Sequence, residues 1–339
     1  MSDFASLLGK LQDTAKSAQE ATANPKKRRV CHVQEDQERQ NGKRRQRTEP
    51  KVIRPRDIHD LKVKISFLCI GAQKAGTTWL HEMLNRHPNL ALPEQKEIHF
   101  WDWNRRKGLK WYSNQFPISH HDCLYGEITP CYAILDGEKI AEVKYLFPDV
   151  KLIFLARDLL DRAWSAILME LRNSVRGMDP GEFEDKSDSS GMDKKAKEKY
   201  LKDADPNQYD DSYFMDRLMH ATHRQRSDYA SAIKRWLEYF PKEQILLLNY
   251  DDVSSRPRDL LNDVLTFVGT SNETDDLIKN SELSTRFNAA SDPKLRQTIR
   301  PGLRKKMEKY LAPFAREFNE LLKELGYSWR MNDYGNSSK

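Results

Sequence analysis

One stretch constrains this chain more than any other: Ile65-Ser-Phe-Leu-Cys-Ile-Gly-Ala-Gln-Lys-Ala-Gly-Thr-Thr-Trp-Leu80. It reads as a buried strand, a loop bounded by Gly71 and Gly76, and a helix opening at Thr77-Thr78. Such a unit cradles phosphate, because the loop and the first helical turn leave backbone N–H groups unpaired and the helix dipole adds partial positive charge. Lys74 adds a full charge inside the loop. The two glycines keep the spacing of the nucleotide-triphosphatase signature G-x-x-x-x-G-K-[ST], but Thr77 stands where that signature has its lysine. A metal-bridged β,γ-phosphate clamp is therefore disfavoured, and a different phosphate-bearing donor is expected.

From Leu61 onward the pattern is α/β. Short apolar runs at Ile65–Ile70, Lys151–Ala156 and Gln244–Asn249 read as strands. Helical periodicity covers Trp79–Arg86, Lys139–Phe147, Asp161–Val175, Tyr213–Phe240 and Arg304–Leu325. Within Tyr213–Phe240, the spacing of Tyr229, Ile233, Trp236 and Leu237 points them at a core. The alternation predicts an α/β, P-loop-like three-layer fold with a central parallel sheet flanked by helices. The acidic, lysine-rich stretch Met178–Asp211 reads as an exposed insertion.

Residues 1–60 differ in kind. They carry the basic clusters Asn24-Pro-Lys-Lys-Arg-Arg-Val30 and Lys43-Arg-Arg-Gln-Arg47 and too little apolar surface to offset the entropy of ordering. A disordered basic tail is expected. It reads either as a solvated tail or as a patch for a nuclear-import factor or nucleic acid. The folded domain is placed at 61–330, with a disordered C-terminus at 331–339. Four cysteines show no zinc spacing, and reduced thiols are expected. No run of eighteen apolar residues and no signal-like N-terminus is seen, so a cytoplasmic or nuclear location is expected.

Three further segments accompany the loop in order: Pro93-Glu-Gln-Lys-Glu-Ile-His-Phe-Trp101, Leu124-Tyr-Gly-Glu-Ile-Thr-Pro-Cys-Tyr132 and Phe154-Leu-Ala-Arg-Asp-Leu-Leu-Asp-Arg-Ala-Trp-Ser165. With the loop they resemble the sulfotransferase family, whose donor is 3′-phosphoadenosine-5′-phosphosulfate (PAPS). The resemblance spans roughly residues 61–330. It implies that Lys74, Ala75, Gly76, Thr77 and Thr78 hold the 5′-phosphate side of PAPS and that Trp79 stacks on adenine. It implies further that Arg157 and Ser165 bind the 3′-phosphate, with a basic loop carrying Lys294, Arg296 and Arg300 above it. Glu97 matches the catalytic glutamate of carbohydrate-type members, and His99 is the competing base. Chemically, sulfuryl transfer to a hydroxyl needs a proton acceptor a hydrogen bond away, and a guanidinium fork matches phosphate.

One position departs from the heparan-type pattern: Ile128 stands where those members have a catalytic lysine. That leaves Lys74 to carry more of the charge stabilisation. The aromatic cluster Phe100, Trp101, Trp103, Trp111 and Tyr112, mixed with Arg105, Arg106 and Lys107, suits either an acceptor cleft or a core. The expected acceptor is a carbohydrate or a small molecule, and no metal is required. Two alternatives stay open: a nucleotide kinase or NTPase on the same loop, and an adaptor whose basic tail acts on an inactive scaffold.

Overall fold

The computed structural model of the chain describes residues 59–117, 123–176, 194–270, Leu283 and 298–335. The basic clusters, Cys31, Lys294 and Arg296 lie outside these residues. Five strands form one sheet: β1 Ile65–Gly71, β2 Leu90–Ala91, β3 Leu124–Ile128, β4 Lys151–Ala156 and β5 Ile245–Asn249, in the order β2-β3-β1-β4-β5. Every pairing is parallel. β1, β3 and β4 read as apolar runs because the sheet is covered by helices, which buries Phe67, Leu68, Cys69, Ile153 and Phe154 completely.

The chain leaves β1 toward one edge of the sheet and returns to cross to the other, so β1 sits where the strand order reverses. In open parallel sheets that is where ligands bind, beyond the strands' carboxyl ends. The loop after β1 leads into α1 (Thr77–Leu84). Next come α2 (Gly137–Leu146), α3 (Leu159–Val175), α4 (Tyr229–Leu237), α5 (Pro257–Val268) and α6 (Pro301–Glu324). α5 packs on α1, β4 and β5, while α6 packs on α3 and α4.

Several boundaries differ from expectation for identifiable reasons. The single helix expected over Tyr213–Phe240 is three, Asp211–Met219, Ala221–Ser227 and α4. The breaks fall at His220 and Asp228, whose side chains accept from the N–H groups of Thr222 and Ser231 and so start new helices. The stretch read as an exposed insertion contains the helix Lys194–Asp203, in which Tyr200 is buried, as is Ala204 just past its end. Contacts continue past residue 330. The Tyr334 hydroxyl accepts from Leu160 N–H and donates to Asp158, which holds residues 331–335 against the start of α3.

Close approach fixes one glycine in the sheet. A Cβ at Gly126 would lie 1.9 Å from the Phe67 ring. Gly126→Ala should cost about 3 kcal/mol through overpacking, seen as a lower urea midpoint. At Gly302 a Cβ meets nothing within 4 Å, so Gly302→Ala should leave the midpoint unchanged or raise it.

Candidate active site

The loop after β1 is shaped by two left-handed residues, Lys74 (φ 65°) and Gly76 (φ 80°). A Cβ at Gly76 would also meet the Tyr250 ring at 2.9 Å, so only glycine fits there. α1 begins directly after it with no side-chain cap and no acidic residue in its first turn. The first-turn N–H groups therefore face the loop's mouth, as anion binding requires. Ala75 and Thr77 are buried, and Lys74 and Thr78 are half-buried. The Lys74 ammonium lies 3.7 Å from the Met169 sulfur.

Arg157, at the end of β4, braces this loop. Its Nη1 donates to the Lys74 carbonyl at 2.9 Å, and its guanidinium sits 4.7 Å from the Tyr250 ring centroid. Its Nε is buried without a hydrogen-bond partner. A guanidinium N–H left in that state suits an anionic ligand. Ser165 lies on α3, half-buried.

The segment after β2 forms the second half of the site. Glu97 and His99 both adopt left-handed backbone (φ 64° and 52°), and a π-helical turn, Phe100–Asn104, follows. Among the described residues four non-glycine positions have positive φ, and three of them are Lys74, Glu97 and His99. Such conformations cost of order 1–3 kcal/mol each and persist where surrounding structure enforces them, most often at functional sites.

The side chains of this turn alternate in charge. Lys96 donates to Glu97. His99 Nε2 lies 3.4 Å from the other Glu97 oxygen, and His99 Nδ1 lies 2.7 Å from Asp102. Burial works to raise the Glu97 pKa, but the Lys96 charge and hydrogen bonds from His99 and Lys96 outweigh it and hold the carboxyl down to about 2. Burial works to lower that of His99, but Asp102 and Glu97 push it up to about 9. At neutral pH the pair is therefore a carboxylate beside an imidazolium.

Beneath the turn lies a group that the sequence offered only as part of a motif. Glu127 is buried, and its two oxygens accept from three hydroxyls: Tyr112 at 2.6 Å, Thr129 at 2.7 Å and Tyr132 at 2.6 Å. Burial, then the Glu127 charge, raises Tyr112 and Tyr132 well above the usual phenol value, so both stay protonated donors. The Tyr132 oxygen in turn accepts from Phe100 N–H at 2.8 Å. The available signal was an acid in the motif Gly126-Glu-Ile-Thr-Pro-Cys-Tyr132, with Thr129 two and Tyr132 five residues further on.

Other expected site residues lie elsewhere. Trp79 is 3% exposed, and its Nε1 donates to the Leu283 carbonyl, so its ring is part of the core. Arg300 pairs with Asp211 at 2.8 Å and donates to the Tyr209 carbonyl. Phe100, Trp101 and Tyr112 are core, and only Trp103 of that aromatic cluster is largely exposed. Cys69, Cys123 and Cys131 are free thiols. One grouping escaped sequence spacing: His99, Asp102 and Cys131 bring potential metal-ligand atoms within 4.8 Å of one another. There His99 Nδ1 is engaged with Asp102, and the Arg226 guanidinium donates to the Cys131 sulfur.

Glu127→Gln replaces one acceptor oxygen with an amide donor facing hydroxyl donors. It should destabilise the protein by about 2 kcal/mol, read by urea unfolding, and lower activity by displacing the Phe100 turn.

A family model described as "Sulfotransferase domain" matches residues 64–325. The chain is 28% identical over 283 residues to heparan sulfate glucosamine 3-O-sulfotransferase 5 of Mus musculus, covering 78% of this chain and 74% of that protein. It is 23% identical over 319 residues to the membrane-associated sulfotransferase kil1 of Dictyostelium discoideum, covering 77% of this chain and 64% of that protein. The solved sulfotransferase from Alicyclobacillus acidocaldarius shares the fold, with a TM-score of 0.52, 20% identity, and coverage of 77% and 96% of the two chains. The membrane-associated relative overturns the expectation of a cytoplasmic or nuclear location. Among the described residues, no helix is long and apolar enough to cross a membrane.

Proposed function

The chain belongs to the sulfotransferase domain family and is a PAPS-dependent sulfotransferase, and from that premise we propose that it sulfates a carbohydrate hydroxyl with Glu97 as base. The observation that carries the assignment is the shared left-handed strain at Lys74, Glu97 and His99, three residues drawn from two separate loops. Family membership sets aside the nucleotide-kinase alternative.

The reaction is an in-line displacement. The acceptor oxygen bonds to the sulfur of PAPS as the bond from that sulfur to the 5′-phosphate oxygen breaks, and 3′-phosphoadenosine-5′-phosphate (PAP) leaves. The acceptor's proton passes to Glu97. Negative charge grows on the leaving phosphate and is received by Lys74 and the N–H groups of Gly76, Thr77 and Thr78; the Ala75 N–H, also expected there, donates to the Ala72 carbonyl at 3.3 Å. Arg157, with a buried N–H to satisfy, and Ser165 serve the 3′-phosphate. Positioning and fixed charge do most of the catalysis, as in phosphoryl transfer.

Geometry and charge favour Glu97 over His99 as the base. An imidazolium at neutral pH has no lone pair to accept a proton. His99 is better suited to hold Glu97 in place while Asp102 holds His99. Glu97 is a weak base while paired, but the acceptor hydroxyl becomes acidic as its oxygen bonds to sulfur, so proton transfer late in the displacement is downhill.

Glu97→Gln should leave PAP binding intact and lower kcat by about 10²–10⁴-fold, measured by calorimetry and by sulfate transfer. Normal turnover in that variant sinks the assignment. Arg157→Ala should weaken PAP binding about 30-fold, and Arg157→Lys should not restore it, because the fork geometry is lost.

The pH profile separates the two bases. His99 carries its proton below about 9 and loses it as pH rises through that value. With Glu97 as base, held by the imidazolium, kcat/KM should be level through the neutral range and fall above about pH 9. With neutral His99 as base, kcat/KM would instead climb toward pH 9.

A further inference from the structure

Three of the four left-handed non-glycine residues lie in the candidate active site, and the fourth lies far from it in sequence. It is Tyr334 (φ 58°). Residues 327–334 run as a strap across three elements. The Tyr327 hydroxyl accepts from Leu247 N–H on β5 at 2.9 Å. Asn319 of α6 clasps Met331 twice, accepting from its N–H at 2.7 Å and donating to its carbonyl at 2.8 Å. Trp329 packs on Phe318 of the same helix. The strap ends at the start of α3, where one oxygen of Tyr334 makes two hydrogen bonds. It accepts from Leu160 N–H at 3.0 Å and donates to Asp158 Oδ2 at 2.9 Å.

α3 begins with N–H groups that its own first turn cannot satisfy. Asp158 Oδ1 takes the Asp161 N–H at 3.0 Å, and Tyr334 takes that of Leu160. The cap is therefore shared between the residue after Arg157 and a hydroxyl 174 positions along the chain. Arg157 is anchored from its other side by the Tyr229 hydroxyl, which donates to its carbonyl at 3.2 Å. The Tyr229 ring meets Phe318 edge-on, so both anchors lean on α6. The Arg157 guanidinium donates to the Lys74 carbonyl and keeps a buried Nε–H with no acceptor. An Asp158 carboxylate free to turn would compete with a phosphate for that guanidinium. Both of its oxygens are held instead, one by the Asp161 N–H and the other by Tyr334.

We propose that Tyr334 is a positioning residue for the donor, acting through Asp158 and the first turn of α3 to keep Arg157 in the pose that binds the 3′-phosphate. This deepens the sulfotransferase reading above and rests on the role given there to Arg157. The same helix carries Ser165, and Met169 beside Lys74, so the pose of its first turn bears on both ends of the donor. A left-handed tyrosine persists where surrounding contacts enforce it, and the Asn319 clasp three residues earlier is such a contact.

The test is calorimetry with PAP, without denaturant, on the full chain and on Tyr334→Phe, Arg157→Ala and the double variant, with urea unfolding of each. Tyr334→Phe removes one hydroxyl and keeps the ring. It should raise the Kd for PAP about ten-fold, and deletion of residues 334–339 should do the same. Once Arg157 is alanine, Tyr334→Phe should add less than about two-fold, because the two residues act through one contact. A tyrosine with a purely structural role would lower the urea midpoint and leave the Kd of the folded protein unchanged. An unchanged Kd in Tyr334→Phe and in the deletion overturns the proposal, as does a rise that persists in full without Arg157; either leaves the donor site standing. If Arg157→Ala binds PAP as tightly as the unaltered protein, or the unaltered protein does not bind PAP, the donor reading itself falls and the proposal with it.

Discussion

The site depends on a single buried carboxylate. Taking a carboxylate out of water costs several kcal/mol unless its oxygens are satisfied; burial pushes the Glu127 carboxyl up, and three hydroxyl donors from three places work against that rise. Thr129 is its neighbour just past β3, Tyr132 sits in the following turn, and Tyr112 comes from the short helix Gly108–Ser113. Because Tyr132 also accepts from Phe100 N–H, the carboxylate's needs are passed on to the turn that carries Glu97 and His99. The end of β3 adds a second tether, since Glu97 N–H donates to the Ile128 carbonyl. A third runs within the turn itself, from Asn104 to the Ile98 carbonyl.

Those tethers explain how the turn keeps two left-handed, non-glycine residues. A flexible loop would relax them. Here the backbone is held at both ends, and the order Lys96, Glu97, His99, Asp102 then makes each charge the partner of the next. The strain and the ion pairs have one consequence: the Glu97 carboxylate is fixed in direction before any acceptor arrives. Preorganisation of this kind spares the transition state the cost of gathering its own groups.

What the sequence made legible was what is local. The strand–loop–helix around Lys74 and the Arg157–Ser165 segment each lie within a few consecutive residues, and their spacing alone placed them at strand ends. β2 and β3 went unread because Leu90–Ala91 is only two residues long, and because Gly126 and Glu127 break the apolar run of β3. Side-chain direction was harder still. Trp101 and Trp103 are two residues apart in the same polar-aromatic stretch, yet the π-helical turn buries one and exposes the other. A strand period would put both on one face, whereas a helical turn puts residues i and i+2 on opposite sides, and no helical turn was read over this stretch. Trp79 went to the core for a related reason: its indole N–H finds the Leu283 carbonyl, a contact 204 positions away along the chain.

The same charge network bears on the lysine missing at 128. With Ile128 buried, positive charge near the reacting centre comes from Lys74 in the loop and from Lys96, which is held by Glu97. In the proposed mechanism Glu97 becomes neutral as it takes the acceptor's proton. Its hold on both Lys96 and the His99 imidazolium weakens at that moment, while negative charge is accumulating on the transferring group and the leaving phosphate. Lys96, neutralised in the resting site, thus becomes available when the transition state needs it, while His99 stays paired with Asp102. A protein with isoleucine where the heparan-type pattern has a lysine can in this way draw charge stabilisation from groups already present to orient its base, with no further buried cation to desolvate.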